Sequence, residues 1–239
     1  MPLLNYYSQT KMAKGEKFGV KTAILHLAPF DLSGKNVCPK ATKGPEGCID
    51  PCLNTSGRGQ MGIVQKARVR KTQYFFRNRN GFLWELSREI QQLKTRAARQ
   101  GFKFAVRLNG TSDLNFAKFK VDGNQSLMDL HPDVQFYDYS KVYNHFDHSY
   151  KNYHITFSYS GKNEAECIQA MEAGYNVAVV FKDKLPKRWA IRSGSSLTER
   201  RVIDGDEHDL RYMDPRDVIV GLVAKGKARK VTAGGFVNG

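Results

Sequence analysis

The feature that most constrains this chain is a succession of short, almost wholly apolar runs separated by segments of helical periodicity. GVKTAILHLAPF (19–30), FAVRLNGTSD (104–113), VQFYDYSK (134–141), NYHITFSYSG (152–161), NVAVVF (176–181), RRVIDGDEHD (200–209) and VIVGLVAKG (218–226) read as strands, most of them closing on polar or charged residues. Helical stretches lie between several of them, at 60–78, 80–100, 125–131 and 163–174. The second carries Leu83, Leu86, Ile90, Leu93 and Ala97 at three- and four-residue spacing, and the last stops at Gly174. A strand buried on both faces has no polar side to alternate, so apolar strands interleaved with helices indicate a parallel sheet. The expected fold is therefore α/β, a full or incomplete (β/α) barrel with parallel strands; an open doubly wound sheet satisfies the same alternation. Either architecture gathers functional residues at the carboxyl ends of the strands.

The 239 residues are enough for one substantial core, and the expected organisation is a single domain over 1–226 with a basic, glycine-rich tail over 227–239. With 41% hydrophobic and 26% charged residues, the chain is not of the disordered class. No run approaches the roughly 18 apolar residues of a membrane span, and the first residues lack the basic-then-apolar order of a secretory leader. A cytoplasmic protein without a membrane partner is expected. The formal charge of +15 suits a polyanion, so a nucleic acid or a nucleotide is the expected partner, although such charge also steers phosphorylated small molecules. Lys66, Arg68, Arg70, Lys71, Arg77 and Arg79, interleaved with Tyr74, Phe75 and Phe76, combine cations with aromatics as nucleic-acid surfaces do, while helical spacing equally allows the aromatics to be core.

Three of the four cysteines crowd into a loop after the first strand. The segment from Pro29 to Gly59 is rich in Gly, Pro, Ser, Thr, Asn and Asp, is too long for a simple connector, and holds Cys38, Cys48 and Cys52 in C-x9-C-x3-C spacing. Three thiolates in a reducing compartment can hold zinc, copper(I) or an iron–sulfur cluster and leave one position of the metal open. A zinc staple completed by Cys167 or a histidine is a second possibility, and plain buried thiols a third. Cys167 suits the last, because it lies on the apolar side of its helix with Ile168 and Met171.

Further candidates stand at strand ends and turns. Thr55, Ser56 and Arg58 in NTSGRG, with Gly57 and Gly59, can bind an anion near a helix start or simply form a cap and turn. Asn109, Thr111, Asp113, Tyr137, Asp138, Lys141, Ser158 and Ser160 would crowd one rim of a barrel. Asp204, Asp206, Glu207, His208 and Asp209 offer acid, base or metal-binding chemistry, or ion pairs with Arg201 and Arg211. Asp113, Asp138, Asp204, Asp206 and His208 are thus the catalytic candidates. His145, Asp147 and His148 lack the H-x-H spacing of two-histidine nucleases and read as a surface loop.

The run VCPKATKGPEGCIDPCLNTSGRGQ, with LNGTSD, QFYDYSK, HITFSYS, NVAVVF and IDGDEHDLR downstream, resembles a tailed-phage family known as gene product 88 over nearly the whole chain. That resemblance implies a phage or prophage origin, hence the host cytoplasm, and brings no activity with it. A more distant similarity is to radical S-adenosylmethionine enzymes, where a three-cysteine loop after the first barrel strand binds a four-iron four-sulfur cluster. The similarity implies cluster ligation by Cys38, Cys48 and Cys52 and cofactor contacts at Asn109 and Gly110, although the spacing departs from C-x3-C-x2-C. The leading expectation is a radical-SAM-like iron–sulfur protein acting on a nucleotide or nucleic acid. The alternatives are a zinc-stabilised nucleic-acid-binding protein without catalysis and a cofactor-free barrel enzyme.

Overall fold

β-branched and apolar runs cannot leave their backbone groups unpaired once buried, and they pair here into a single sheet. The computed structural model describes residues 1–6, 10–44, 46–146 and 148–239, residues 10–12 by their backbone alone. Its strands are β1 (Leu4–Asn5), β2 (Val20–Leu25), β3 (Lys103–Arg107), β4 (Gln135–Ser140), β5 (Tyr153–Ser158), β6 (Val177–Phe181), β7 (Arg188–Ser193), β8 (Ser196–Asp204), β9 (Val218–Val223) and β10 (Val237–Asn238). They lie in the order β1-β2-β3-β4-β5-β6-β9-β8-β7, with β10 added beside β6. All neighbours from β2 to β8 are parallel, while β1 and β7 close the two edges antiparallel. The fold is thus mixed α/β with a mostly parallel sheet that does not close on itself. From β2 to β6 the strand order never reverses, so no switch-point crevice of the doubly wound kind arises there.

The helices are α1 (Thr10–Glu16), α2 (Gly62–Arg77), α3 (Arg79–Arg99), α4 (Leu127–Leu130) and α5 (Glu164–Glu172). Asn78 starts α3 by accepting a hydrogen bond from Gly81 N (3.0 Å), and the stripe Leu83, Leu86, Ile90 and Ala97 is buried as its spacing predicts. The stretch 125–131 shortens to the single turn of α4, held by a capping box between Ser126 and Asp129. Gly174 ends α5 with φ +83°, a left-handed conformation that costs glycine nothing. Phe75, Phe82, Leu86, Ile90, Ile168 and Met171 from the helices meet Val106, Phe136, Ile155, Phe157 and Val179 from the strands in the main core. Burying each such side chain contributes about 1.5–3 kcal/mol.

Strand alternation sends Val20, Ala105 and Tyr137 to the other face, where Leu210 and Tyr212 pack on them. Both belong to the connection between β8 and β9, which leaves the sheet after Asp204 and crosses this face. Two ion pairs hold it there: Arg107 Nη1 lies 3.0 Å from Asp209 Oδ2, and fully buried Arg211 lies 3.3 Å from Asp214 Oδ2. The strand expected over 200–209 therefore ends early, because its last residues turn onto the sheet instead of extending it.

Two further segments differ from their composition. The irregular basic stretch after Phe181 forms the antiparallel hairpin β7–β8 around Gly194 (φ +55°). Residues 227–239, read as a tail, contain a 3-10 turn over Gly226–Lys230 and then β10, whose Val237 pairs with Val180. A two-residue strand leaves no periodicity to detect.

Candidate functional site

The parallel strands point their carboxyl ends at one cavity of about 410 Å³. Arg107 and Asn109 reach it from β3 and its following turn, Tyr139 and Lys141 from β4, Ser158 from β5, Val180 from β6, and Leu222 and Val223 from β9. The cysteine loop after β2 forms the opposite wall with Cys38, Cys48 and Cys52, and Lys225, Lys227, Ala228 and Phe236 close it from the C-terminal segment. The wall is held in place from both sides. Asn54 bonds Gln65 through its amide nitrogen (3.1 Å) and accepts from Arg68, anchoring the loop to α2, while Phe236 N donates to Glu46 O (2.9 Å).

All four cysteines are free thiols. Phe30 N donates to Cys38 Sγ (3.4 Å), and Cys38 Sγ lies 3.9 Å from Thr111 O. Burial pushes the Cys38 thiol up to about 12, with Cys52 adding to the shift, and burial likewise raises Cys52, with Cys48 adding. Cys52 thus lies within electrostatic reach of Cys38 and of Cys48. Burial works against the charge on Lys141, but Cys48, Asp113, Cys38 and Cys52 outweigh it and raise its pKa. Among the described residues no three His, Cys, Asp or Glu side chains are arranged to hold a metal ion. The donor chemistry of the loop fits a soft metal, whereas its side-chain positions do not form a finished ligand set. Cys167 is buried in the core between α5 and the sheet, and burial raises its thiol as well.

Of the residues expected to bind a cofactor, Asn109 and Gly110 line the cavity, yet their bonds serve the protein itself. Asn109 Oδ1 accepts from Ser112 Oγ (2.8 Å) and Leu114 N (2.9 Å), and its Nδ2 donates to Leu114 O (3.0 Å). Gly110 presses on β2: a Cβ there would meet Leu25 O at 2.7 Å and His26 Cδ2 at 2.8 Å. In the NTSGRG turn, Thr55 Oγ1 donates to Cys52 O (2.7 Å) and Ser56 Oγ to Leu53 O (2.9 Å), while Arg58 is exposed. These hydroxyls stabilise two 3-10 turns, Leu53–Thr55 and Gly57–Gln60, ahead of α2. Only Thr55 of the three reaches the cavity wall.

The five catalytic candidates separate. Asp113 and Asp206 line the cavity. Asp113 accepts from Ser140 Oγ (2.7 Å) and Lys141 N (2.9 Å), and His145 Nδ1 lies 3.3 Å away. His145 is therefore buried and holds the β4 end, contrary to a surface loop; Asp147 lies outside the described residues, and His148 stacks on Tyr153 at 5.0 Å. Asp206 pairs with Lys225 and accepts from Val223 N (3.0 Å). Asp138 sits beneath the cavity, accepting from Asn109 N (2.6 Å) and Tyr153 Oη (2.9 Å), and burial raises its pKa to about 7. Asp204 is exposed, and His208 packs against Phe18 at 4.9 Å, away from the cavity. Among the described residues the acidic run forms ion pairs with Arg107 and Lys225, and Arg211 pairs with Asp214.

The basic stretch of α2 and the start of α3 also divides. Lys66, Arg70, Arg77 and Arg79 are exposed, but Arg68 and Lys71 are buried, the latter donating to Leu3 O (2.6 Å), and Phe75 is core. Arg107, Tyr139 and Phe236 are cavity residues that the sequence reading passed over. The period-two alternation through Tyr137, Tyr139 and Lys141 was the available signal for Tyr139. No described helix is long and apolar enough to cross a membrane.

No curated protein and no solved structure matches this chain. A family model described as Gene product 88 matches residues 2–238, essentially the whole fold just described, and the chain belongs to this phage-type family.

Proposed function

We propose that the strand-end cavity is the functional site and that Cys38, Cys48 and Cys52 ligate a soft metal centre there, an iron–sulfur cluster or zinc. The observation that carries this reading is the placement of three thiols from one loop on the wall of a single cavity, electrostatically coupled to one another and to Lys141. Thiolate ligands suit such soft metals, and ligation requires the three thiols to lose their protons as the loop draws them together. A bound cluster or zinc would supply redox or Lewis-acid chemistry beside the substrate space. The unreversed strand order from β2 to β6 supports an incomplete barrel, in which such a position over the strand ends is where substrates bind. S-adenosylmethionine as a co-substrate rests only on the placement of the loop after the first parallel strand. A nucleotide is favoured over a long nucleic acid as ligand, because the cavity is of small-molecule size and the α2 cations are partly buried.

A cofactor-free pocket is the second reading, and the lack of a finished ligand set favours it. Asp113, Asp206 and Lys141 would then supply the polar chemistry of the wall. Anaerobic purification with iron, sulfide and zinc analysis separates the two. We expect stoichiometric metal in the wild type and its loss in Cys38→Ser, Cys48→Ser and Cys52→Ser; metal-free wild type after anaerobic reconstitution with iron, sulfide or zinc overturns the metal-centre reading.

A further inference from the structure

An antiparallel ribbon at the edge of a sheet has two faces, and the β7–β8 hairpin commits only one of them to the core. Along its strands the side chains alternate: Ile191 is buried, and Trp189 packs edge-on against Tyr159 (5.3 Å) and Phe181 (5.9 Å). The opposite face carries Arg188, Ala190 and Arg192 from β7 with Leu197, Glu199 and Arg201 from β8, and all six are exposed. Register sets Arg188 directly across from Arg201, a like-charge pair that works against the hairpin's own stability. Glu199, the one acid of this face, is taken by Arg188 (2.6 Å), and Arg192 and Arg201 have no ion pair among the described residues. Gly194 and Ser195 at the tip are exposed too, and β7 ends the order of the described strands, so its outer edge has no neighbour.

We propose that this arginine face is a docking surface for double-stranded DNA, with the β7–β8 ribbon in the major groove and Arg192 and Arg201 on the phosphates. Charge and shape together choose this occupant. Three guanidiniums against one carboxylate complement a polyanion, in keeping with the formal charge of +15, and the planar fork of arginine matches phosphate oxygens. A two-stranded ribbon is of the width that the major groove admits, and six paired residues extend it to about 20 Å. A second copy of the chain docked here would set arginine against arginine. None of the six side chains lines the strand-end cavity, so the proposal stands apart from any metal in the cysteine loop and from what the cavity binds.

Fluorescence anisotropy of a labelled DNA duplex of about 20 base pairs, titrated with the full chain from about 0.05 to 0.2 M salt, tests it. The double variant Arg192→Gln, Arg201→Gln should weaken binding by roughly ten-fold or more. It should also flatten the slope of log affinity against log salt by about 2, one counterion for each lost phosphate contact. Lys66→Gln, Arg70→Gln removes the same charge from the exposed side of α2 and should change the affinity by less than about three-fold. Because Arg201→Gln relieves the repulsion with Arg188, the hairpin variant should melt at or above the wild-type temperature, which separates lost binding from lost folding. No duplex binding at the lowest salt, or a loss in the hairpin variant no larger than in the α2 variant, overturns the proposal. A labelled poly-glutamate peptide that binds as tightly as the duplex, with the same loss in the hairpin variant, overturns it as well and assigns the face to an acidic protein instead.

Discussion

Arg107 Nη1 stands 3.0 Å from Asp209 Oδ2 although 102 positions separate the two residues in the chain. This pair pins the β8–β9 connection onto the sheet directly beneath the cavity. Both partners are buried; burial works against the charge on Arg107, but Asp209 together with Tyr139, Tyr137 and Asp138 outweighs it and raises its pKa. Breaking such a pair leaves an uncompensated charge inside, so Asp209→Ala should lower unfolding stability by about 3–5 kcal/mol. Urea denaturation checks this, and the double variant Arg107→Met, Asp209→Leu should recover most of the loss.

Asp113 ties the turn after β3 to the end of β4 through Ser140 and the Lys141 backbone. Asp113→Ala removes two acceptors from buried donors, and the expected cost is about 1–3 kcal/mol. A melting temperature within error of the wild type would mean that the Lys141 backbone finds another partner.

His26 and His154 are held below the ordinary histidine value, at about 3 and about 4, chiefly by burial, with nearby arginines lowering both further. Their neutral forms are favoured in the folded state, so the unfolded chain takes up their protons first as the pH falls. Their contribution is complete above pH 6.5 and is lost progressively between pH 6.5 and about 4, by at most roughly 1.4 kcal/mol per pH unit for each histidine. Asp138 acts with the opposite sign: its pKa is raised to about 7, so its contribution is present at low pH and declines as the pH rises from 3.8 to about 7. Denaturation midpoints measured from pH 4 to 7 should rise less steeply in His154→Gln than in the wild type and more steeply in Asp138→Asn.

Burial that pushes the Cys38 thiol to about 12 keeps it protonated at neutral pH in metal-free protein. Alkylation of Cys38 by iodoacetamide at pH 8, followed by mass spectrometry of the peptides, should be at least ten-fold slower than that of a free cysteine peptide. Equal rates would show that the loop exposes the sulfur.

Gly161, with φ +82°, lies where β5 meets the C-terminal segment, and a Cβ there would come within 2.6 Å of Phe236 N. Gly161→Ala should therefore loosen β10 and the Phe236 side of the cavity while sparing the core. Limited proteolysis should then cut within 231–239 faster than in the wild type, with little change in the far-ultraviolet circular dichroism.

The order of apolar runs and helical stripes was enough to determine a parallel α/β sheet, because Val106, Phe136, Phe157 and Val179 must be buried wherever they pair. It also determined that the cysteine loop, Asn109, Asp113 and Lys141 follow strands and so stand at carboxyl ends. Tertiary structure alone decided that Asp138 and His208 are not on the cavity while Arg107 is. Facing is set by strand register and by what covers each side, and the cover here is the β8–β9 connection, whose pairing with Arg107 spans more sequence than any local pattern can reach. The short strands β1 and β10 belong to the same class: their pairing to β2 and β6 comes from neighbours, not from any propensity of two residues.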